Sequence, residues 1–272
     1  MRASRSMTVA VAGALAVTAL AGCGSDAGGD EAAVAATTAP PPLGAELAGR
    51  YAHWDVVAYE GELMNTMIVT YGFADLSVVD GELISQQTFC HAETRTNLPI
   101  ETGSADAMTQ AIKPPPVAVT VTEEDGALRL FRPETPTGIG ITLADPANDV
   151  LPTDPNDPRI SDDDGDGNPG VTAFIKVSEE LQGELYLARR ERFAYDVVAQ
   201  DDGSLRGNVI DKSEQLIIGA SDPTFMVSDT WVQHPDPSKS PILWKPVPDD
   251  WDCDRLMAES AALLPPIPPL DW

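Results

Sequence analysis

Short acidic turns that contain glycine divide the chain after residue 48 into runs of strand length. Tyr51–Tyr59, Met67–Val79 and Leu83–Cys90 are rich in Val, Ile, Thr and aromatic residues, and they are separated by Glu60-Gly61-Glu62 and Asp80-Gly81-Glu82. Such side chains favour strands, and glycine accepts the positive φ of a tight turn. The pattern predicts three antiparallel strands joined by hairpins.

Similar runs follow along the rest of the chain. They are Val117–Thr122, Ala127–Phe131, Val171–Val177, Glu184–Ala199, Ser204–Ile218 and Thr224–Gln233. With the first three they make about nine or ten strands with short turns, which predicts an all-β, mainly antiparallel fold in a single barrel or sandwich. Asp252–Leu264 has the apolar spacing of a short amphipathic helix, which two prolines end.

The N-terminal residues predict export. Two arginines precede the apolar stretch Met7–Leu20, which is too short to cross a bilayer as a helix and is typical of a signal peptide. The following Leu20-Ala21-Gly22-Cys23 resembles the lipobox of bacterial lipoproteins. This resemblance implies that residues 1–22 are removed and that Cys23 carries acyl chains, palmitate among them. A signal peptide cut elsewhere, with Cys23 an ordinary cysteine, is the alternative.

The lipid anchor sets the expected organisation of the chain. Each buried methylene contributes about 0.8 kcal/mol, so several acyl chains hold a protein at a membrane. Gly24, and not Asp, follows the lipidated cysteine, so the resemblance to Gram-negative lipoproteins implies a cell-envelope protein at the outer rather than the inner membrane. Residues 23–47 predict a flexible tether, 48–250 the β domain, and 251–272 the C-terminal helix and a Pro-rich tail.

The formal net charge of −26 limits the partners. It disfavours nucleic acid and anionic membrane surfaces. It favours cations or basic partners, and it agrees equally with an acidic surface that serves solubility alone.

Cys90 and Cys253 remain once Cys23 is assigned to lipid. In an oxidising compartment this pair predicts a disulfide between an early strand and the C-terminal segment. Cys90 is adjacent to His91, but neighbours in a regular strand point to opposite faces, which argues against a catalytic dyad.

The sequence carries no catalytic motif that names an enzyme. His53, His91 and His234 have no metal-binding or catalytic spacing, and there is no P-loop, nucleophile elbow or C-x-x-C. Carboxylate pairs of the kind that hydrolyse glycosides stay open because Asp and Glu are abundant. A non-catalytic role is favoured, and an enzymatic one is left open.

The segment 144–170 interrupts the strand pattern with prolines, Asp and Asn, and predicts a long acidic loop. Asp162, Asp164 and Asp166 alternate, so their carboxylates can converge, and oxygen donors in that density suit Ca²⁺. The backbone carbonyl of Asn168 falls at the next ligand position, and Gly167 at the sharp turn. The expected ion is structural and orders the loop. A solvated acidic turn that binds nothing is the alternative.

The loop departs from the EF-hand pattern because Ala173 stands where a bidentate Glu is needed and the flanks are not helical. It resembles instead the shorter D-x-D-G-D-G-x-P-G loops of secreted proteins such as thrombospondin type 3 repeats. The remaining ligands would come from Asp154, Asn156, Asp157 or water.

Two further resemblances concern the β domain, and the first of them covers the middle third of the chain and, more weakly, the first meander. The segments around Leu151–Asp154, Asp166–Thr172 and Gly183–Tyr186 resemble an uncharacterised set of predicted lipoproteins from myxobacteria-like bacteria, which implies fold and compartment but no activity. Gly49-Arg50-Tyr51, the meander, the late helix and the cysteine pair resemble lipocalin or calycin barrels, although Tyr51 stands where that family has Trp and the central loop is longer.

Two functions follow as expectations. The first is a non-catalytic, membrane-anchored envelope lipoprotein with a structural Ca²⁺, whose β domain binds a protein partner or an apolar ligand. The second is a secreted hydrolase that uses Asp or Glu. An apolar cavity would favour ligand binding, a filled interior a scaffold role, and a cleft with two facing carboxylates the hydrolase.

Overall fold

Fifteen strands account for most of the secondary structure of residues 40–227 and 230–272, the part of the chain that the computed structural model describes. The predicted signal peptide, the lipidation site Cys23 and the tether as far as residue 39 lie outside the described residues. The end of the predicted tether, Ala45–Leu47, forms a 3-10 turn, and the side chain of Leu47 packs into the core of the domain.

The elements follow one another along the chain in a mostly antiparallel order. The strands are β1 (Gly49–Gly61), β2 (Thr66–Val79), β3 (Glu82–Thr96), β4 (Glu101–Ser104), β5 (Val117–Ala118), β6 (Thr120–Glu124), β7 (Ala127–Arg132), β8 (Thr137–Ile139), β9 (Val171–Lys176), β10 (Gln182–Glu191), β11 (Phe193–Ala199), β12 (Leu205–Asp211), β13 (Glu214–Ala220), β14 (Trp231–Gln233) and β15 (Pro241–Pro246). The helices are α1 (Asp106–Gln110) and α2 (Cys253–Leu263). The predicted all-β antiparallel fold with a short C-terminal helix is confirmed.

The larger sheet curls into a nearly closed barrel with the order β5-β3-β2-β1-β15-β12-β11-β7-β6. Its two ends belong to one short segment, because β5 pairs with β3 while β6, directly after it, pairs with β7. Between them, the backbone N–H of Val119 donates to the carbonyl of Leu83 at 2.9 Å. The segment thus carries the hydrogen-bonded path from one end of the sheet to the other.

A smaller sheet has the order β13-β10-β9-β4, with β8 also paired to β10. One long hairpin connects it to the barrel, since β10 and β13 pair in the smaller sheet while their continuations β11 and β12 pair in the larger one. The prediction that Glu184–Ala199 and Ser204–Ile218 are continuous strands is wrong at Arg192 and at Lys212 and Ser213. There the N–H of Arg192 donates to the hydroxyl of Ser213 at 2.9 Å instead of completing the ladder.

Both faces of β1 are buried. Alternate residues from Tyr51 to Tyr59 face the barrel interior, and Trp54 and Val56 lie on the other face, against the cluster that includes Leu256 of α2. Side chains alternate in a strand, so one strand can carry both cores. The helix and the C-terminal tail therefore cover the outer face of the barrel.

The predicted disulfide between Cys90 and Cys253 is present, with a Cα–Cα distance of 5.4 Å, and joins β3 to the start of α2. Cys90 is also the extra residue of a β-bulge, because Tyr71 pairs with His91 and the next residue, Gly72, with Phe89. A bulge breaks the alternation of side chains. The sequence argument from opposite faces therefore does not apply at Cys90 and His91, and the disulfide itself is what engages the thiol.

The sequence misplaced the last strands. Thr224–Gln233 is not one strand, because it contains part of the 3-10 turn Pro223–Phe225 and only the three-residue β14. The strand β15 was not predicted, although it lies between β1 and β12 in the barrel. Prolines at both of its ends, Pro241 and Pro246, mask it as a loop.

Candidate functional site

A cavity of about 660 Å³ lies between the barrel-like sheet and the smaller sheet. The long hairpin forms much of its wall, because alternate residues along β10 and β11 face the same space across the break at Arg192. These residues are Leu185, Leu187, Arg189, Glu191, Phe193 and Tyr195. Strands from both sheets and helix α1, which contributes Met108, complete a mainly apolar wall. This volume falls in the range of small-molecule sites.

One end of the cavity is polar and holds a paired group of charges. The Nε of Arg189 donates to Glu191 at 2.8 Å, and the hydroxyl of Ser213 lies 3.0 Å from Glu191 and 2.5 Å from Asp211. Tyr59 donates its hydroxyl to the second oxygen of Asp211 at 2.6 Å. Burial and the charge of Glu191 raise the pKa of Asp211. Every oxygen of the two carboxyl groups is thus within a hydrogen bond of the protein.

A second polar group reaches the same cavity from β1. His53 and Asp55 are two residues apart and so share the inward face, and Nε2 of His53 lies 3.0 Å from Oδ2 of Asp55. The indole Nε1 of Trp244 donates to Nδ1 of His53 at 2.8 Å. Asp55 is 4% exposed, and its Oδ1 has no hydrogen-bond partner among the described residues.

Aromatic rings pack against the imidazole that is bonded to this carboxylate. The rings of Phe89 and Tyr195 lie 5.7 and 5.4 Å from the ring of His53, and Phe193 lies 5.5 Å from Phe89. Phe89, Phe193 and Tyr195 all line the cavity. Burial and the charge of Asp55 raise the pKa of Tyr195, so its phenol stays protonated. The polar end therefore combines carboxylates with ring faces.

The acidic loop brings together the three aspartates that the sequence singled out. One carboxylate oxygen each of Asp162, Asp164 and Asp166 lie within 4.8 Å of one another. Ligand oxygens 2.3–2.6 Å from one cation are at most about 5 Å apart, so the donor set and its spacing could hold a metal ion. Asn168 lies beside the cluster, with its N–H donating to Asp166 at 2.8 Å.

The loop is held in shape by its own backbone. Asp162 accepts hydrogen bonds from the N–H groups of Gly165, Asp166 and Gly167, the last with a φ of 90°, as the predicted sharp turn requires. Asp164 accepts from the N–H of Thr172 through Oδ2, while its buried Oδ1 has no partner among the described residues. Burial and the neighbouring aspartates raise the pKa of Asp164.

Other contacts fix the loop to the smaller sheet. Asp163, which the sequence did not single out, accepts a hydrogen bond from the N–H of Gly140 at 2.7 Å. Ile160 forms an isolated bridge with Ile141, and Leu151 is buried against the same sheet. Apolar anchors and a backbone bond, beside the acids, thus determine where the loop lies.

The structure does not bring the further candidate ligands into the aspartate cluster. Asp157 pairs with Arg159 at 3.0 Å, and Asp154 accepts from the N–H of Asn156 at 2.9 Å. These two carboxylates therefore bond to residues of the segment that precedes the aspartate cluster. Among residues 40–227 and 230–272, the group of three aspartates is the one set of acids, histidines or cysteines with metal-ligand spacing.

The polar end of the cavity was missed from the sequence. His53 and Asp55 stand at alternate positions of a run whose other positions, such as Trp54 and Val56, are apolar. A strand buried on both faces makes any polar residue within it a buried one, and this was the available signal. Glu191 and Asp211 carried no comparable signal, because their meeting depends on the pairing of distant strands.

The fold and the cavity define the chain as a barrel-like β protein with a mainly apolar cavity between the barrel-like sheet and a smaller sheet. No protein-family model, curated protein or solved structure matches the chain. Within the described residues, no helix combines the length and the apolar character needed to cross a bilayer.

Proposed function

We propose that this chain is a lipid-anchored protein of the bacterial cell envelope that binds a small apolar ligand in the cavity between its two sheets. The observation that carries the proposal is the cavity itself, with its mainly apolar wall and a few convergent polar groups. This combination is typical of small-molecule sites. The anchor at Cys23, and the outer membrane as its location, rest on the lipobox resemblance.

The hydrolase is the second candidate, and one observation favours it. Glu191 and Asp211 line the cavity and both approach the hydroxyl of Ser213, and the pKa of Asp211 is raised, as is typical of catalytic acids. Ligand binding is the better-supported function because Arg189, Tyr59 and Ser213 already engage these carboxyl groups. Hydrolysis that is lost in both Glu191→Gln and Asp211→Asn would reverse this order.

The calcium ion belongs to the proposal as a structural element. The three carboxylates of Asp162, Asp164 and Asp166 would hold it, with the Asn168 carbonyl as the expected further ligand. Neutralising the mutual repulsion of these acids is what the ion supplies. The proposed role is to keep the loop in place next to β9, where Asp164 already bonds to Thr172.

Titration of the full-length chain with the neutral dye N-phenylnaphthylamine tests the binding function. We expect saturable binding with a rise in fluorescence. Ala173→Phe places a ring in the cavity wall and should weaken binding about tenfold or more. Ala118→Phe, the same change at an exposed position of β5, is the control. Absence of binding, or binding that ignores Ala173→Phe, would contradict the proposal.

A further inference from the structure

The polar end of the cavity contains a buried carboxylate oxygen that receives no hydrogen bond from the described protein. Asp55 is 4% exposed and lines the cavity, and its Oδ2 is bonded to His53 while its Oδ1 has no partner among the described residues. A buried acceptor without a donor is costly. Since Asp55 borders the cavity, a molecule bound there can supply the donor.

The charge of Asp55 is not balanced by its histidine partner. The indole N–H of Trp244 is a donor and points at Nδ1 of His53, so Nδ1 must be an acceptor and the imidazole proton resides on Nε2. That proton is shared with Asp55 Oδ2. The imidazole in this arrangement is neutral, so it supplies no positive charge to offset an ionised Asp55.

The other charged groups around Asp55 leave this negative charge in excess. Among the described residues that line the cavity, Asp55, Glu191 and Asp211 are acidic and Arg189 is basic. Arg189 is engaged by Glu191 at 2.8 Å. The guanidinium of Arg132 already lies over two of the aromatic rings, 5.8 Å from the centre of Phe193 and 5.4 Å from that of Tyr195, and donates to backbone carbonyls and to Thr135. It is not part of the cavity wall, and its charge offsets only part of the acidic excess.

The rings next to Asp55 suit a cation. Phe193 and Tyr195 stack with centroids 5.6 Å apart, and Phe89 meets Phe193 edge-on. Aromatic faces attract ammonium groups, and the attraction grows when the cation is removed from water. The combination of a carboxylate, aromatic neighbours and a long apolar wall therefore favours one class of ligand.

We infer that the cavity selects an elongated apolar molecule that carries a protonated amine, with the ammonium placed against Asp55 Oδ1 and the rings of Phe89, Phe193 and Tyr195. The inference rests on the proposed ligand-binding function and names the ligand class. The hydrocarbon part lies along side chains such as Leu187 and Ile217, which belong to the smaller sheet. A fatty acid of the same length would bring its carboxylate against three acidic groups and is disfavoured.

Calorimetric titration of the full-length chain with three probes of equal chain length tests this inference. The probes are dodecylammonium, dodecanol and dodecanoate, each below its micellar concentration. Because a hydrogen bond to a charged group is worth more than a neutral one, dodecylammonium should bind about tenfold to a hundredfold more tightly than dodecanoate, with dodecanol between them.

Substitution separates the charge of Asp55 from the cavity. In Asp55→Asn the side-chain oxygen still accepts a hydrogen bond from His53, but the negative charge is lost. The affinity for dodecylammonium should therefore fall about tenfold, towards the affinity for dodecanol. Asp196→Asn is the matched control, because Asp196 follows Tyr195 on β11 and pairs with Arg129 outside the cavity. It should leave all three affinities within about twofold.

Phe193→Leu gives a second measure if Asp55→Asn does not fold. This variant removes one aromatic ring and keeps the carboxylate, so it should weaken the binding of dodecylammonium more than the binding of dodecanol. If no probe binds, the proposed function itself is wrong. If the probes bind but with equal affinity, or dodecanoate binds most tightly, ligand binding stands and the ammonium inference is overturned.

Discussion

The indole nitrogen of Trp244 and the imidazole of His53 form a buried hydrogen bond of 2.8 Å that joins β15 to β1 inside the barrel. Both side chains are fully buried. The bond satisfies the one nitrogen of His53 that does not face Asp55. It therefore fixes the orientation of the imidazole as well as the packing of the two strands.

Trp244→Phe should lower the free energy of unfolding by about 1–3 kcal/mol, because a buried acceptor on His53 loses its donor. Urea unfolding of the two proteins measures the difference. Trp231→Phe is the matched control, since the indole N–H of Trp231 has no partner among the described residues. Equal losses in both variants would show that ring volume, and not the bond, is responsible.

Removing the disulfide should destabilise the chain strongly. Cys90 and Cys253 are 163 residues apart, and in the chain-entropy model a loop of that length contributes about 5 kcal/mol. The double variant Cys90→Ala/Cys253→Ala avoids a free thiol, and its urea midpoint should match that of the reduced wild-type chain. A midpoint equal to that of the oxidised chain would contradict the prediction.

Calcium should stabilise the chain through the aspartate cluster. Extracellular calcium modules have dissociation constants of roughly 10⁻⁴–10⁻³ M, so about 10 mM Ca²⁺ should add about 1–3 kcal/mol over a chelated sample. Thermal melting in both conditions measures the gain, which Asp164→Asn and Asp166→Asn should abolish. Asp201→Asn, at an exposed turn, should keep it. If the melting temperature is the same with calcium and with chelator, the structural calcium ion is contradicted.

Asp211→Asn should change how stability depends on pH. Burial raises the pKa of Asp211 in the folded chain, so its contribution is present below the unfolded pKa and is lost as pH rises through the folded pKa. Asparagine does not ionise, so the variant should gain stability relative to wild type as pH rises from roughly 4 to 8. Urea unfolding at several pH values gives the difference. Asp250→Asn, an exposed position, should show no such trend.

Gly170→Ala should displace the acidic loop from the smaller sheet. Gly170 has a φ of 86°, and an added Cβ would lie 2.4 Å from the carbonyl oxygen of Leu187. Backbone strain of this kind costs about 1–3 kcal/mol, and the contact adds to it. Gly165→Ala has a similar φ of 74° with open space around the new atom, so it should cost less in the same unfolding experiment. The reverse order would contradict the described docking of the loop.

The first meander, the disulfide and the aspartate cluster were readable from the sequence because each depends on local spacing or on a simple pairing. Asp80-Gly81 favours a turn through its local backbone preference. Once Cys23 is assigned to lipid, the two remaining cysteines can pair in only one way. The convergence of Asp162, Asp164 and Asp166 follows similarly from alternate positions around Gly167. These features need no knowledge of which strands become neighbours.

The cavity was not readable because it depends on neighbours that lie far apart in the sequence. His53 meets Tyr195 and Trp244 only through the strand order of the barrel. The break at Arg192 was hidden because Glu191 and Phe193 continue the alternation of a single strand while their pairing partners change. Local pattern determines which residues share a face, but not which sheet that face belongs to.

The long hairpin that the two sheets share limits where residues can be inserted or deleted. Glu191 and Phe193 face the same cavity across one intervening residue, so deleting Arg192 would turn the following wall residues outward and bring their neighbours, such as Asp196, inward. The turn at residues 200–203 lies at the end of the hairpin, so a change in its length does not alter which side chains face the cavity. Related chains should therefore vary in length at that turn and remain constant in length at the junction of the two sheets.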